Sequence, residues 1–449
     1  MIETSHLFVL AILIFAFGLG SRLFSRSIIT APLAFVAFGL ILAPGVCESL
    51  GFGKLFGKLD HLDSTIHLLG EITLVVVLFT DAAQIRLHVL IKGTAIPSRL
   101  LVIGMPLTIL LGALIAYFFF DELGFWELAL LATMLAPTDA ALGQAVVNSE
   151  KVPLRIRQGL SVESGLNDGI AVPLVLIFAS LASIGHSMDE VAMTNIQCAI
   201  FAAKQLLLGP LTGILVGGIG VWLMTRAIRH GFMEHVYREF AGIALAIIAF
   251  VGAGYIGGNG FIAAFTAGLV MGNSNKEVRE SLYDFAEAES QLLMLTTFFL
   301  VGLALAWEPL NLATWNVWVY AILSLTLIRM LPVAISMIGL GVQRSTIGFL
   351  GWFGPRGLAS VLFSVLVIEE LPVPHSEEIG QIVIITVLLS VLAHGITAAP
   401  LSALYVSILE RDKEIVTAEY GKCPHGLIGK KRLQPTDQQQ SQDTNQSTH

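Results

Sequence analysis

The sequence predicts an all-α polytopic membrane protein with about thirteen transmembrane helices. Three observations carry this. Only 13% of the 449 residues are charged while 55% are hydrophobic, and the mean hydropathy is +0.79. A soluble domain carries roughly 25% charged residues, and half that proportion cannot cover a water-facing surface. The apolar residues also come in long unbroken runs, as from Leu100 to Phe120. Crossing hydrocarbon takes about 20 apolar residues in a helix, whereas a barrel strand alternates over about 10. Finally, 43 glycines suit helices that pack closely within a bilayer. A soluble enzyme, a disordered scaffold and a nucleic-acid binder with a basic face are excluded, the last also by the net charge of −8.

The elements follow in order. Segment 6–21 comes after Met-Ile-Glu-Thr-Ser-His, with no basic stretch and no cleavage site, so it reads as a retained span and not as a signal peptide. Segments 28–44, 65–83 and 100–120 come next. Segment 126–148 contains Leu135-Ala-Pro-Thr-Asp-Ala140, and Pro137 should break it. Segment 157–183 carries Glu163-Ser-Gly-Leu-Asn-Asp-Gly169 in an otherwise apolar run. Segment 197–225 follows. The pair 239–255 and 257–273 is separated only by Ile256 beside Gly257. Then come 288–306, 313–340, 346–369 with Gly354-Pro-Arg-Gly357 at its middle, and 379–409. The membrane domain thus spans 1–409. Residues 410–449 form a polar tail, without an apolar residue from Gln438 onward and disordered at its end.

The basic residues set the orientation. With Arg22 and Arg26 on the cytoplasmic side, alternation puts 20 of the 25 Lys and Arg there and only Lys54 and Lys58 opposite. Such an excess orients the chain N-terminus out and C-terminus in, as a multi-pass protein of the cell (inner) membrane. Lys204, Arg329 and Arg356 stay within spans. Cys47, Cys198 and Cys423 lack metal-ligand spacing and read as fillers.

A charge at the bilayer centre costs roughly 2.5–3.5 kcal/mol, so each one kept there needs a partner or a task. At Pro137 the break frees backbone carbonyls beside the Asp139 carboxylate, and hard cations want such oxygens. Residues 163 and 167, and 164 and 168, are each one helical turn apart, which brings two carboxylates, a hydroxyl and an amide together. Arg356 needs a carboxylate, and Glu163 and Asp168 are both candidates. Interrupted segments of opposite direction predict inverted repeats whose broken helices cross at the midplane. The partner of the Pro137 break is either Gly354-Pro-Arg-Gly357 or His394-Gly-Ile-Thr-Ala-Ala-Pro400. Glu71, Lys204, Glu239 and Arg329 read as packing partners or gates, His394 as structural, and Glu287 and Glu289 as a cation-attracting funnel. No nucleotide-binding loop, zinc-protease helix or nucleophile elbow is found, and no cofactor is expected.

At these residues the chain resembles the monovalent cation/proton antiporter family of bacterial Na⁺/H⁺ antiporters and eukaryotic Na⁺/H⁺ exchangers. Glu163-Ser164 with Asn167-Asp168 is similar to its Asn-Asp motif, Thr138-Asp139 to its Thr-Asp motif, and Gly354-Pro-Arg-Gly357 to its Gly-x-Arg-Gly motif. Gly257 to Asn273 and His394-Gly-Ile-Thr resemble two further stretches. One departure is that Ala140 follows Asp139 where many members have proline, while Pro137 precedes it.

The resemblance implies a homodimer with a dimerisation bundle and an ion-carrying core. It implies Asp168 as main cation ligand and proton carrier, with Asp139, Ser164 and the main-chain carbonyl of Thr138 completing the site for a monovalent cation. Glu163 would pair with Arg356, and Asn167 would support the local structure. The expected activity is exchange of Na⁺, or of Li⁺ or K⁺, for H⁺ in pH homeostasis, by competition of the two ions at Asp168. With Asn167 in place of a second Asp, the exchange would be one for one. A cation channel and a non-transporting membrane sensor or scaffold are the alternatives.

Overall fold

Helices are the regular structure throughout, and no strand occurs among the residues that the computed structural model describes. These are 11–19, 30–49, 62–84, 95–139, 142–143, 146, 152–186, 195–275, 278, 291–370 and 373–411. The connection with Arg22 and Arg26, the pair Glu287 and Glu289, and the tail beyond 411 lie outside them.

After a helical stretch at 11–19 come α1 (Ala31–Ile41), α2 (Pro44–Ser49), α3 (Leu62–Gln84) and α4 (Ala95–Tyr117). Then follow α5 (Phe125–Met134), α6 (Leu154–His186), α7 (Asn195–Arg229), α8 (His235–Tyr255) and α9 (Gly260–Gly272). The remainder is α10 (Gln291–Leu305), α11 (Trp307–Leu312), α12 (Trp315–Ser336), α13 (Arg344–Trp352), α14 (Leu358–Glu370) and α15 (Ser376–Arg411). Among the described residues, five apolar helices are long enough to cross a membrane: α4, α6 up to Ser183, α7 from Leu207, α12 and α15.

The helices are built inside out relative to a soluble bundle. On α7, Leu207, Leu211, Ile214, Leu215, Ile219 and Trp222 form an exposed apolar stripe, as a lipid-facing surface requires. The opposite face carries Gly209, Gly213 and Gly217, each against α9. A β-carbon at Gly213 would run into the main-chain oxygen of Ala263. Small residues here let backbones touch where no hydrophobic effect drives helices together.

The narrow turn after Ile256 is real. Gly257 takes the left-handed conformation (φ 76°), and the amide of Gly258 bonds back to Ala253 O at 2.8 Å. The Asn259 side chain then caps α9 by accepting from Ile262 N at 2.8 Å. At the start of α5, buried Glu127 accepts from the Gly124 amide at 2.5 Å and meets His375 Nδ1 at 3.1 Å. That carboxylate ties the first turn of α5 to the residue before α15.

Two further features bear on the site. Segment 313–340 forms one membrane-length helix, α12, which is distorted at Thr326 (φ −109°, ψ −91°). Its hydroxyl bonds back to Ile322 O at 2.7 Å, and Arg329 lies one turn beyond. Of the two candidates for the second break, α15 runs continuously through His394 and Pro400. The break is therefore at 353–357, between α13 and α14.

Candidate functional site

Both proline-marked segments leave helical geometry, and each satisfies the groups that the other frees. The α5 helix stops at Met134 and residues 137–139 are non-helical. Just past its end, Ala136 O and Pro137 O accept from Nη1 of Arg356 at 2.9 and 3.3 Å. In return, Oδ2 of Asp139 accepts the first free amide of α14, Leu358 N, at 2.9 Å. The Asp139 amide donates to Pro355 O at 2.8 Å and pins the two chains together. A cation thus rests on the negative end of one helix and an anion on the positive end of the other.

This crossing leaves no room for side chains at its glycines. A β-carbon at Gly357 would overlap the Asp139 carboxylate, and one at Gly354 would overlap the Arg329 guanidinium. Gly357→Ala is expected to destabilise the fold by about 1–3 kcal/mol, the usual cost of overpacking. A lower thermal-melt midpoint checks this. Gly348→Ala, with nothing within 4 Å of its β-carbon, is the control expected to melt like the parent.

Helix α6 supplies the polar face. Ser164 donates its hydroxyl to Thr138 O at 2.5 Å, and Asn167 donates to Thr138 Oγ1 at 2.7 Å. Asp168 follows Ser164 by one turn on the same face, at the middle of the apolar span Leu154–Ser183, and is buried. A cavity of about 10 Å³ is lined by Thr138, Asp139 and Ser164 and by Gly143, Val146, Leu160, Phe353 and Pro355. That volume is about the least that seats one water-sized particle. Along α6 the order is Leu160, Ser164, Asp168, so Asp168 lies one turn beyond the cavity wall. The residues that the sequence singled out at Thr138, Asp139, Ser164 and Asn167 are therefore brought together, with Asp168 next in line.

One pairing must be corrected. Glu163 was expected to pair with Arg356, but its Oε1 lies 2.6 Å from Nη2 of Arg329, with both residues buried. Arg356 occupies a helix break, where Ala136 O and Pro137 O accept from its Nη1. Arg329 lies on a formed helix, α12, whose carbonyls are already engaged, and so it takes the carboxylate. Arg329, read from the sequence as a packing partner or gate, is thus part of the site. Its signal was available: it is one of three basic residues kept within the predicted spans.

Ser390 was missed altogether, although its hydroxyl accepts the Arg356 amide at 2.7 Å. No sequence pattern marked it. Chemically, the arrangement sets carboxylate, hydroxyl and carbonyl oxygens beside apolar side chains around a cavity the size of a single small ion or water. Among the described residues, no cluster of three or more His, Cys, Asp or Glu could hold a multivalent metal.

Known proteins share this fold. The model of the transmembrane sodium/hydrogen exchanger family matches residues 8–404. A Na⁺/H⁺ antiporter 2 of Zygosaccharomyces rouxii is 26% identical over 399 residues, covering 81% of this chain and 48% of that protein. A K⁺/H⁺ antiporter NhaP2 of Shewanella oneidensis is 24% identical over 351 residues, covering 77% of this chain and 57% of that protein. The chain thus spans about half the length of these curated relatives. The sodium proton antiporter MjNhaP1 from Methanocaldococcus jannaschii has the same fold, with a TM-score of 0.72 at 19% identity over 90% of this chain and 100% of that one. By the family model, which takes in nearly the whole membrane part, the chain belongs to the sodium/hydrogen exchanger family.

Proposed function

We propose that the chain exchanges a monovalent cation for a proton across a cell (inner) membrane, one for one, with sodium as the leading substrate and lithium and potassium as the others. The observation that carries this is the charge content of the crossing. Arg329 and Arg356 bring two positive charges, and Glu163, Asp139 and Asp168 bring three negative ones. One net negative charge is left in the apolar interior. A single proton or a single monovalent cation cancels it, and the two compete for the same carboxylate.

Asp168 is the proposed carrier. It stands at mid-span next to Ser164, and an unloaded carboxylate there is costly to move past an apolar gate. Asp139, Ser164 and the Thr138 carbonyl supply further oxygens from the cavity wall. Thr138 is already oriented by Ser164 and Asn167, so little ordering remains to be done when an ion arrives. The carboxylate of Asp139 also accepts the α14 amide, which holds it in place.

The basic-residue asymmetry supports an N-out, C-in orientation in the bilayer. Some thirteen spans, inverted repeats, a homodimer with separate dimerisation and core bundles, and a part in pH homeostasis complete the reading. All of these follow from the family resemblance and the charge pattern.

One-for-one exchange moves no net charge, so a membrane potential has nothing to act on. Two-for-one exchange would feel about 2.3 kcal/mol per 100 mV, and a channel would feel it for every ion. In proteoliposomes clamped with potassium and valinomycin, sodium-driven proton flux is expected to be equal at zero and at negative potential. Flux that tracks voltage would overturn the stoichiometry.

A further inference from the structure

We propose that His394 is a positioning residue for ion binding: it clamps the two sides of the second helix break and so sets the geometry of the crossing. The proposal rests on the exchange reading and adds a residue to its machinery.

His394 is buried on α15, the continuous helix that runs beside the break. Its Nε2 lies 2.8 Å from Trp352 O, at the last residue of α13. Its Nδ1 lies over Ser390, one turn away on α15, at 3.2 Å from Oγ and 2.9 Å from the main-chain oxygen. Ser390 Oγ in turn accepts the Arg356 amide at 2.7 Å. With the proton on Nε2, Nε2–H donates to Trp352 O, Ser390 Oγ–H donates to Nδ1, and Arg356 N–H donates to Ser390 Oγ, while the Ser390 main-chain oxygen beside Nδ1 takes no proton from the ring. One rigid ring thereby fixes the end of α13 and the extended residue four positions later.

Three features argue that this is more than filling. A serine within a helix ordinarily bonds back to its own helix, but this one reaches across to the Arg356 amide, and the histidine faces its other side. The Trp352 indole is tilted against the imidazole, with ring centroids 5.1 Å apart, so the ring cannot swing away freely. Most directly, the residue held is Arg356, whose guanidinium sits on Ala136 O and Pro137 O, next to Thr138 and Asp139. A shift of the break is passed through one side chain to the stretch that leads into Thr138 and Asp139. The charged groups that face His394 from neighbouring elements are Arg356 at the break and Arg329 on α12.

A positioning role and a packing role differ in which kinetic parameter moves. Loosening the clamp weakens the ion site but leaves the carrier able to turn over. The test measures sodium-driven proton flux in proteoliposomes against sodium chloride concentration, with potassium chloride in parallel, for His394→Ala, Ser390→Ala and His394→Gln. In His394→Ala and Ser390→Ala the apparent KM is expected to rise about tenfold, the effect of one lost buried hydrogen bond, with the maximal rate per folded carrier kept. His394→Gln reaches Trp352 O with its amide and is expected to hold KM near the parent value.

An unchanged KM in His394→Ala, or a reduced maximal rate with KM unchanged, overturns the clamp. So does failure of His394→Gln to do better than His394→Ala. Absence of cation-dependent proton flux in the parent chain, with either salt, is a different result: it removes the exchange reading itself.

Discussion

Asp168→Asn is expected to abolish cation-coupled proton exchange while leaving a chain at least as stable as the parent. The two halves of this expectation have one cause. A carboxylate in the middle of an apolar span is costly to bury, and it persists there because a proton or cation can neutralise it. The amide has nearly the same shape and no charge. It removes the cost and the function together, because nothing remains for either ion to cancel.

Proteoliposome flux should fall to the leak of empty vesicles. A thermal melt should show the complementary effect. In the parent, sodium at about 100 times its dissociation constant stabilises the folded carrier by about 2.7 kcal/mol, and this ion-dependent shift should vanish in the variant. The parent should also bind sodium more weakly as pH falls, since protons occupy the same oxygens, by up to about tenfold per pH unit once the carboxyl is mostly protonated. Retained sodium-dependent proton flux in Asp168→Asn would remove Asp168 from the carrier role, as would a sodium-dependent melting shift of parental size.

How far the sequence could be read depends on what each residue signals locally. Pro137 and Gly354-Pro-Arg-Gly357 announced their breaks because a missing N–H and a ring clash act on the residue's own turn. The polar cluster on α6 was legible too, since 163 and 167, and 164 and 168, are each one turn apart, whereas Thr138 was joined to it only by the family resemblance. The distortion at Thr326 was not legible, since no proline or glycine marks it. Nor was the continuity of α15 through Pro400, because neighbouring helices can make good a single lost backbone bond.

The misassigned ion pair has a more general cause. Periodicity tells which residues share a face of one helix, and says nothing of which face meets which across the bundle. The need of a guanidinium for a carboxylate left Glu163 and Asp168 both open, and the family resemblance implied Glu163. A break supplies acceptors of its own, Ala136 O and Pro137 O, and that consideration frees Glu163 for Arg329.

The Glu163–Arg329 pair yields the other large effect, and it separates fold from charge. Either member alone is a buried, uncompensated charge once the other is neutralised, which costs about 3–5 kcal/mol. Glu163→Gln and Arg329→Gln should therefore each lower the melting midpoint strongly. They also move the charge of the crossing in opposite directions. Glu163→Gln makes the empty site neutral and the loaded site positive, so loading no longer favours passage. Arg329→Gln leaves the loaded site negative.

The double variant Glu163→Gln/Arg329→Gln restores one net negative charge and leaves neither member of the pair charged without its partner. It should recover most of the stability, and its exchange rate should exceed that of both single variants. A double-mutant cycle on melting free energy and on flux reads both quantities from the same four proteins. If the double variant melts below both singles, the pair is not the unit that holds Arg329. If it melts like the parent but carries no flux, the net charge of the crossing is not what permits movement, and the pair's geometry is needed in its own right.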